Sequence, residues 1–155
     1  MSSNTCRIGM FRNPKGKNGY MNTKYLITIS FLLAISKDGH IRDLRIRLGI
    51  ILKETNEFIG WCCSGIKDEL TPPSREIMFA ISKEYRNKGY ATQAVQGLVS
   101  YLFENADVND FAAIALVENI PSNRVIVKSG IQFHSTIDID NESYHYYKVL
   151  RSNLV

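Results

Sequence analysis

The residues with the clearest capacity for chemistry lie in the stretch EYRNKGYAT, positions 84–92. This stretch separates the apolar run EIMFAIS from QAVQGLVSYLFEN, in which apolar residues recur at helical spacing. At a strand–turn–helix junction the first N–H groups of the helix lack partners, and the helix dipole adds positive potential. With Arg86 and Lys88 beside Gly89, the junction is a candidate anion site. Composition alone leaves an ordinary cationic turn equally open.

Two familiar phosphate-binding loops are excluded at this junction. The sequence contains neither the GxxxxGK[ST] of a P-loop nor the GxGxxG of a dinucleotide site.

Six residues of the turn, Arg86-Asn87-Lys88-Gly89-Tyr90-Ala91, resemble the R/Q-x-x-G-x-G/A pyrophosphate signature of the GNAT N-acetyltransferase superfamily. Downstream, ENIPSNRVIVKSGIQF resembles the N-x-x-S/A-x-R-x-x-x-K-x-G-F segment of the same family. The residues that fall close to this spacing are Asn119, Ser122, Arg124, Lys128 and Gly130. The resemblance covers roughly residues 45–150 and is closest to the branch that acts on ribosomal-protein N-termini and related amines.

The resemblance implies acetyl-CoA as co-substrate and no metal. In such folds two neighbouring central strands part beyond a bulge, and the pantetheine arm lies between them, bonded to exposed backbone groups. The pyrophosphate then meets the N–H groups and cationic side chains of the turn. The predicted cofactor-binding residues are Phe79, Ala80, Ile81, Arg86, Asn87, Lys88, Gly89, Tyr90, Ala91, Thr92, Asn119 and Arg124.

The implied reaction is direct attack of a neutral primary amine on the acetyl thioester. Glu76, at the head of the central strand, is the candidate base that takes the amine's proton, and a backbone N–H near Phe79 or Ala80 would stabilise the oxyanion. Ser122 is the candidate acid for the leaving thiolate. The alternatives are that Glu76 is a solvent-facing strand end and that Ser122 serves only as a helix cap.

Several positions depart from the family pattern. Asn87 replaces the first glycine of the commonest turn, which asparagine's tolerance of left-handed φ permits. Ile126 stands where many members carry a tyrosine acid, so Tyr144, Tyr146 and Tyr147 become substitutes for it. The family segment ends in Gly-Phe, whereas Gly130 is followed here by Ile131. Phe133 takes the position of the aromatic residue if the alignment is shifted slightly.

The elements that position these residues follow from periodicity. The pattern predicts a helix bearing Tyr25, Ile29, Leu32 and Leu33, although the β-branched residues 27–29 also suit a strand. A hairpin follows (Arg45–Lys53, Glu57–Ser64), then a buried strand (Glu76–Ser82) and a helix that Thr92 caps. A second buried strand (Phe111–Val117), a short helix (Ser122–Ser129) and a C-terminal hairpin turning at Asp140-Asn141 complete the chain.

These elements predict one domain over residues 1–155, with residues 1–21 as a loose lead-in. The fold class is α/β (α+β): a mixed, mostly antiparallel central sheet splayed at a bulge, with helices on both faces. Because the first hairpin begins near residue 45, the N-terminal strand usual in this branch is expected to be short, remodelled or absent.

Composition bounds the remaining function classes. Hydrophobic residues make up 45 % and charged residues 22 %, which are ordinary globular values. No stretch of about 18 apolar residues predicts a membrane span, and the N-terminus lacks the apolar core of a signal peptide. The basic residues of the N-terminal arm suggest nucleic-acid binding as a function. A solvated segment explains their charge more simply.

The cysteine, histidine and tryptophan residues are predicted to have structural rather than catalytic roles. The three cysteines form neither a disulfide framework nor a metal-ligand pattern, which fits a cytoplasmic location. Trp61, Cys62 and Cys63 are assigned to a core strand, and the histidines and tyrosines of the last hairpin to cross-strand packing. The predicted function is an acetyl-CoA-dependent N-acetyltransferase, and the alternative is a GNAT-like acyl-CoA sensor or scaffold without catalysis. A homodimer is left open.

Overall fold

The structure is a computed structural model that describes residues 27–34, 45–70, 75–105 and 108–154. Their strands form a seven-stranded sheet in the order β1-β2-β3-β4-β5-β7-β6. The strands are β1 (Ile27–Ala34), β2 (Arg45–Leu52), β3 (Phe58–Ile66), β4 (Arg75–Ile81), β5 (Asp110–Leu116), β6 (Gln132–Ile139) and β7 (Glu142–Leu150). The helices are α1 (Tyr90–Asn105) and α2 (Ile120–Lys128), with 3₁₀ turns at Lys83–Tyr85 and Arg151–Leu154. The predicted lead-in and the loop Thr71–Pro73 lie outside the described residues.

The predicted first helix is wrong. Ile27–Ala34 is strand β1, which pairs antiparallel with β2 from Ile27–Leu52 to Ala34–Arg45. The β-branched residues at 27–29 favour an extended backbone, and pairing along all of β2 outweighs the helical spacing of the leucines. The N-terminal strand of the family, expected to be short, remodelled or absent, is therefore supplied by β1.

The mixed, mostly antiparallel sheet is confirmed. Every neighbouring pair is antiparallel except β4 and β5, which run parallel and are in register at Glu76 and Ala112. Beyond this point the two strands diverge, as the splay predicts. The register between β3 and β4 continues without a shift, and the irregularities lie instead at Ile50/Ile51 and Phe133/Ser135. The separation of β4 from β5 thus arises without an extra residue in β4.

The main core fills the first face of the sheet, on which both described helices pack. The predicted apolar stripe of α1 is buried there with Ile126 of α2 and odd-numbered residues of β5. The stripe consists of Ala94, Val95, Leu98, Val99, Leu102 and Phe103. The second face carries a smaller cluster of Leu70, Ala112 and Tyr146. Helices were predicted on both faces, but the segment expected to form the first helix extends the sheet instead.

The turns follow their residue types. Asn56, Asp140 and Asn141 have positive φ of 59°, 50° and 65°, and two such residues in succession make the tight turn of the predicted β6–β7 hairpin. Gly130, the second residue after α2, has φ 88°, which confirms the predicted left-handed end of that helix. The caps of the two helices differ from prediction, because α1 begins two residues before Thr92 and α2 begins after Asn119.

Candidate active site

The junction between β4 and α1 presents the backbone of the predicted anion site. Asn87 and Gly89 have φ of 62° and 83°, so asparagine does adopt the left-handed conformation that replaces the family's first glycine. A Cβ built on Gly89 would meet only the Gln93 amide, at 4.0 Å, so the space above this residue is open. Among the described residues, no backbone carbonyl accepts from the N–H groups of residues 87–89. These groups face solvent at the start of a sixteen-residue helix, where an anion is favoured.

The cationic side chains of the turn are exposed and partly anchored. Arg86 Nε donates to the Ile81 carbonyl oxygen at 3.2 Å, which ties the turn back to the end of β4. Lys88 Nζ lies 5.4 Å from the centre of the Tyr85 ring. Tyr90 differs from the prediction, because its side chain is 7 % exposed and belongs to the main core. Only its backbone faces the turn, while Ala91 and Thr92 are half-buried in the first turn of α1.

The strand before the turn lines one side of the splay. Phe79 and Ile81 pack against the main core, and Ala80 alternates to the second face. Their backbones pair with β3 at Cys62, Trp61 and Gly60, and the register with β5 ends at Glu76. The edge of β4 from 79 to 81 therefore points towards the gap where a pantetheine arm was predicted to bind.

Glu76 lies where the two strands part, with its side chain on the second face. It is 6 % exposed, and no described hydrogen bond or ion pair involves its carboxylate. Burial raises the pKa of Glu76 from 4.5 to about 7, with the charge of Lys67 lowering it and that of Glu69 raising it. The alternative of a solvent-facing strand end is wrong, and a carboxyl group with this pKa suits proton transfer near neutral pH.

The segment from Asn119 to Gly130 forms the opposite wall. Asn119, rather than Ser122, caps α2, because its Oδ1 accepts from the Ser122 N–H at 3.2 Å. The Ser122 side chain is half-buried and takes part in no described hydrogen bond, while Arg124 is exposed on α2. The alternative that Ser122 serves only as a helix cap is therefore wrong. The side-chain oxygen of Asn119, a predicted cofactor-binding residue, accepts a hydrogen bond within the helix.

A buried asparagine that the sequence analysis missed joins this wall together. Asn123 Nδ2 donates to the carbonyl oxygens of Leu116 and Asn119, both at 2.9 Å. Its Oδ1 accepts from the Tyr147 hydroxyl at 2.7 Å and lies 3.2 Å from His145 Nδ1. The signal in the sequence was the spacing of Asn123 and Ile126, which places both on the buried face of α2.

The second face also carries aromatic and hydroxyl groups. Trp61, assigned to the core from sequence, is 42 % exposed beside Ala80. Cys62 and Cys63 are buried free thiols, as predicted, and burial raises the pKa of Cys62 to about 12. Of the substitute acids, the Tyr144 hydroxyl donates to Glu142 at 2.9 Å, and the buried Tyr146 hydroxyl has no partner.

Across the described ranges, no three His, Cys, Asp or Glu side chains are grouped so as to hold a metal ion. No helix in the part of the chain that the structure describes is long and apolar enough to span a bilayer.

Known proteins share both the sequence pattern and the fold. Residues 10–132 match the family described as acetyltransferase (GNAT) domain. A Bacillus subtilis protein named as an uncharacterized N-acetyltransferase, YnaD, is 36 % identical over 81 residues, which are 48 % of this chain and 48 % of that protein. The chain thus matches about half the length of this relative.

Two solved structures match the fold equally well. One is the aminoglycoside acetyltransferase AAC(6')-Ib in complex with coenzyme A, with a TM-score of 0.62 and 22 % identity over 70 % of this chain and 68 % of that chain. The other is the ribosomal-protein-S5-alanine acetyltransferase of Vibrio fischeri, with a TM-score of 0.62 and 16 % identity over 74 % of this chain and 66 % of that chain. The splayed sheet, the junction before α1 and the family match over most of the sequence lead to one conclusion: the chain belongs to the GNAT acetyltransferase family.

Proposed function

We propose that this protein is an acetyl-CoA-dependent N-acetyltransferase that moves the acetyl group to a primary amine by direct attack. The observation that carries the proposal is the buried, unpaired Glu76 at the point where β4 leaves β5. Coenzyme A is the ligand of a structural neighbour with the same fold. A cytoplasmic location belongs to the proposal and is supported by the free thiols of Cys62 and Cys63.

In the proposed complex the cofactor follows the surfaces described above. The pyrophosphate accepts hydrogen bonds from the N–H groups of residues 87–89, and the charges of Arg86 and Lys88 face the phosphates. The pantetheine arm pairs with the free edge of Phe79–Ile81, as an added strand would. This brings the thioester to the gap above Glu76.

In the proposed reaction Glu76 takes a proton from the incoming ammonium group, directly or through a water molecule. The amine nitrogen then bonds to the acetyl carbonyl carbon, while a backbone N–H near Phe79 or Ala80 stabilises the oxyanion. The carbon–sulfur bond breaks, and the thiolate takes a proton from Ser122, whose hydroxyl has no other described partner. The nitrogen gives up its second proton as the amide forms, and this proton restores the Ser122 hydroxyl. Tyr144 is the alternative acid, since it shares the face of Glu76.

The test is release of the coenzyme A thiol in the presence of a panel of amines, including peptides with free N-termini, polyamines and aminoglycosides. We expect kcat/KM of the best substrate to rise as pH increases through about 7, where Glu76 loses its proton. Glu76→Gln keeps the shape and removes the titrating group, so the rate should fall about 100-fold or more and this pH step should disappear.

A matched control is Glu104→Gln on α1, which removes the same charge from an exposed position on a helix of the other face. It should leave rate and pH profile unchanged. A Glu76→Gln protein with the parent's rate and profile would remove Glu76 from the mechanism. Coenzyme A binding without turnover of any amine would instead assign the protein as a sensor.

A further inference from the structure

Lys88, one of the two cations that face the phosphates in the proposed complex, is held by an aromatic ring rather than by a carboxylate. Its Nζ lies 5.4 Å from the centre of the Tyr85 ring, where the negative face of the ring attracts an ammonium group. No described ion pair includes Lys88, since the salt bridge found among the described residues joins Lys67 and Glu69. Contact with a ring face leaves the positive charge of Lys88 unneutralised, which an ion pair would not do.

The Tyr85 ring is fixed at two points. The residue packs against the main core, and its backbone N–H donates to the Ser82 carbonyl oxygen at 3.0 Å within the 3₁₀ turn. Its hydroxyl forms a hydrogen bond with the Glu57 carboxylate, which is the largest cause that raises the pKa of Tyr85. The hydroxyl therefore stays protonated and donates to Glu57 at neutral pH. Because hydrogen-bonded groups polarise one another, this bond also makes the ring more attractive to a cation.

Glu57 connects the ring to the β2–β3 turn, which is distant in sequence. The Glu57 carbonyl oxygen accepts from the Leu52 N–H at 2.9 Å, and its Oε2 accepts from the Thr55 hydroxyl at 2.9 Å. Its neighbour Asn56 has a φ of 59°, the left-handed conformation of a tight turn. The position of the Lys88 charge thus depends on the β2–β3 turn as well as on the turn before α1.

The surroundings of Tyr85 are otherwise acidic. The charges of Glu57 and Glu84 both raise the pKa of the Tyr85 hydroxyl, so both carboxylates lie near this ring, and both residues are exposed. An incoming pyrophosphate would be repelled by them unless a cation offset their charge. A lysine restricted to the ring face before binding loses less side-chain entropy when the phosphates arrive than a freely rotating one.

We infer that Tyr85 is a positioning residue for cofactor binding: its ring, oriented by Glu57, holds the Lys88 ammonium group ready for the phosphates of coenzyme A. The inference rests on the proposed N-acetyltransferase function, which supplies coenzyme A as the ligand. It adds Tyr85 and Glu57, which both lie outside the R/Q-x-x-G-x-G/A motif.

The test is a double-mutant cycle, with coenzyme A binding to the full chain measured by calorimetry. Tyr85→Leu keeps an apolar side chain against the core and removes the ring, so it should weaken binding about two- to fivefold. Lys88→Met should weaken binding about tenfold, because it removes a charge-assisted contact. The double variant should bind as Lys88→Met does, because without the ammonium group the ring has nothing to hold. Tyr85→Phe keeps the ring and should stay within about twofold of the parent.

The role of Glu57 is tested against its neighbour Glu54. Glu57→Gln and Glu54→Gln each remove one exposed carboxylate from the β2–β3 turn, so both variants gain similarly from the lower negative charge. Only Glu57→Gln removes the carboxylate that Tyr85 contacts, so it should bind coenzyme A about two- to threefold more weakly than Glu54→Gln. Equal affinities of the two variants would remove Glu57 from the arrangement.

A measurement on the parent protein keeps the inference testable if Tyr85→Leu fails to fold. The ε-methylene protons of Lys88 lie near the face of an aromatic ring, so ring currents should shift their NMR resonance upfield of that of Lys53. The resonance is identified by its loss in Lys88→Met.

Two results would overturn the inference while keeping the cofactor site. One is that Tyr85→Leu and Lys88→Met weaken coenzyme A binding independently, so that the losses multiply in the double variant. The other is that Lys88 and Lys53 have the same ε-methylene resonance. A parent protein that does not bind coenzyme A at all would contradict the proposed function together with the inference.

Discussion

Glu76 shows how one side chain acquires its properties from its surroundings. Its strand is apolar on both faces and its carboxylate is buried without a described partner, so the charged form is destabilised. The sequence could identify an acid at the head of a central strand. It could not give the burial, which depends on how closely Ala112 and the second-face residues approach.

Replacing Glu76 by glutamine should change the dependence of stability on pH. The pKa of about 7 lies above the unfolded value near 4.5, so the native protein binds more protons than the unfolded chain between these values. The stability of the parent therefore falls as pH rises from about 4.5 to 7, relative to Glu76→Gln. Thermal melting should show the variant gaining stability over the parent between pH 5 and pH 8.

The difference in melting temperature between Glu104→Gln and the parent should stay constant over this pH range. A difference for Glu76→Gln that does not grow with pH would show that the carboxyl group titrates normally in the folded protein.

At the scale of elements, the site depends on how β4 and β5 are held apart. The wall formed by β5 and α2 is fixed by Asn123, which satisfies the last carbonyl of β5 and the cap residue of α2 together. The motif resemblance identified residues on both sides of Asn123 but not Asn123 itself. The role of Asn123 as a hydrogen-bonding hub depends on a residue of β7, which is distant in sequence, so a local motif does not reveal it.

Asn123→Ala should destabilise the protein by about 2–4 kcal/mol, because it removes the 2.7 Å hydrogen bond of the buried Tyr147 hydroxyl and the side-chain hydrogen bonds to the carbonyls of Leu116 and Asn119. Chemical denaturation measures this loss. The neighbouring Ser122→Ala is the matched control and should change stability by less than about 0.5 kcal/mol, since its hydroxyl has no described partner. Equal effects of the two substitutions would contradict the hub.

The other wall depends on close contact between β3 and β4 at Gly60. A Cβ at this residue would lie 2.2 Å from the Ala80 carbonyl oxygen, a backbone atom that cannot move aside. Gly60→Ala should therefore cost about 2 kcal/mol or more and weaken coenzyme A binding by displacing the end of β4.

Gly49→Ala offers the comparison on the adjacent strand. Its Cβ would meet the exposed Phe58 ring at 3.2 Å, and that side chain can turn away. Denaturation and calorimetry with coenzyme A should show only a small loss of stability and of affinity for Gly49→Ala. Losses as large as those of Gly60→Ala would contradict a specific requirement for close contact between β3 and β4.

At the scale of the whole molecule, the splay divides the sheet into β1–β4 and β5–β7. The two halves are in register at Glu76 and Ala112 and share the core beneath α1 and α2. In the proposed complex the cofactor lies in the gap and contacts both halves and the start of α1. It should therefore stabilise the folded protein as a unit.

Coenzyme A at 100 times its Kd should add about 2.7 kcal/mol of stability, which raises Tm by roughly 5–11 °C. Arg86→Ala and Lys88→Ala should each reduce this shift, because each removes a charge that faces the phosphates in the proposed complex. Lys53→Ala in the β2–β3 turn removes an equal charge elsewhere and should retain the full shift. A parent protein whose Tm coenzyme A does not raise would contradict the cofactor site.

The sequence by itself determined the elements from residue 45 onwards, the turn before α1 and the family, because these follow from local periodicity, turn residues and a short motif. Only the tertiary structure decided that residues 27–34 form a strand, since their helical and extended preferences are balanced and pairing with β2 selects one. It also decided that Asn123 is buried, that Trp61 is exposed, and that Glu76 is buried at the point where β4 leaves β5. Each of these depends on contacts between residues that are distant in the chain, which no local pattern records.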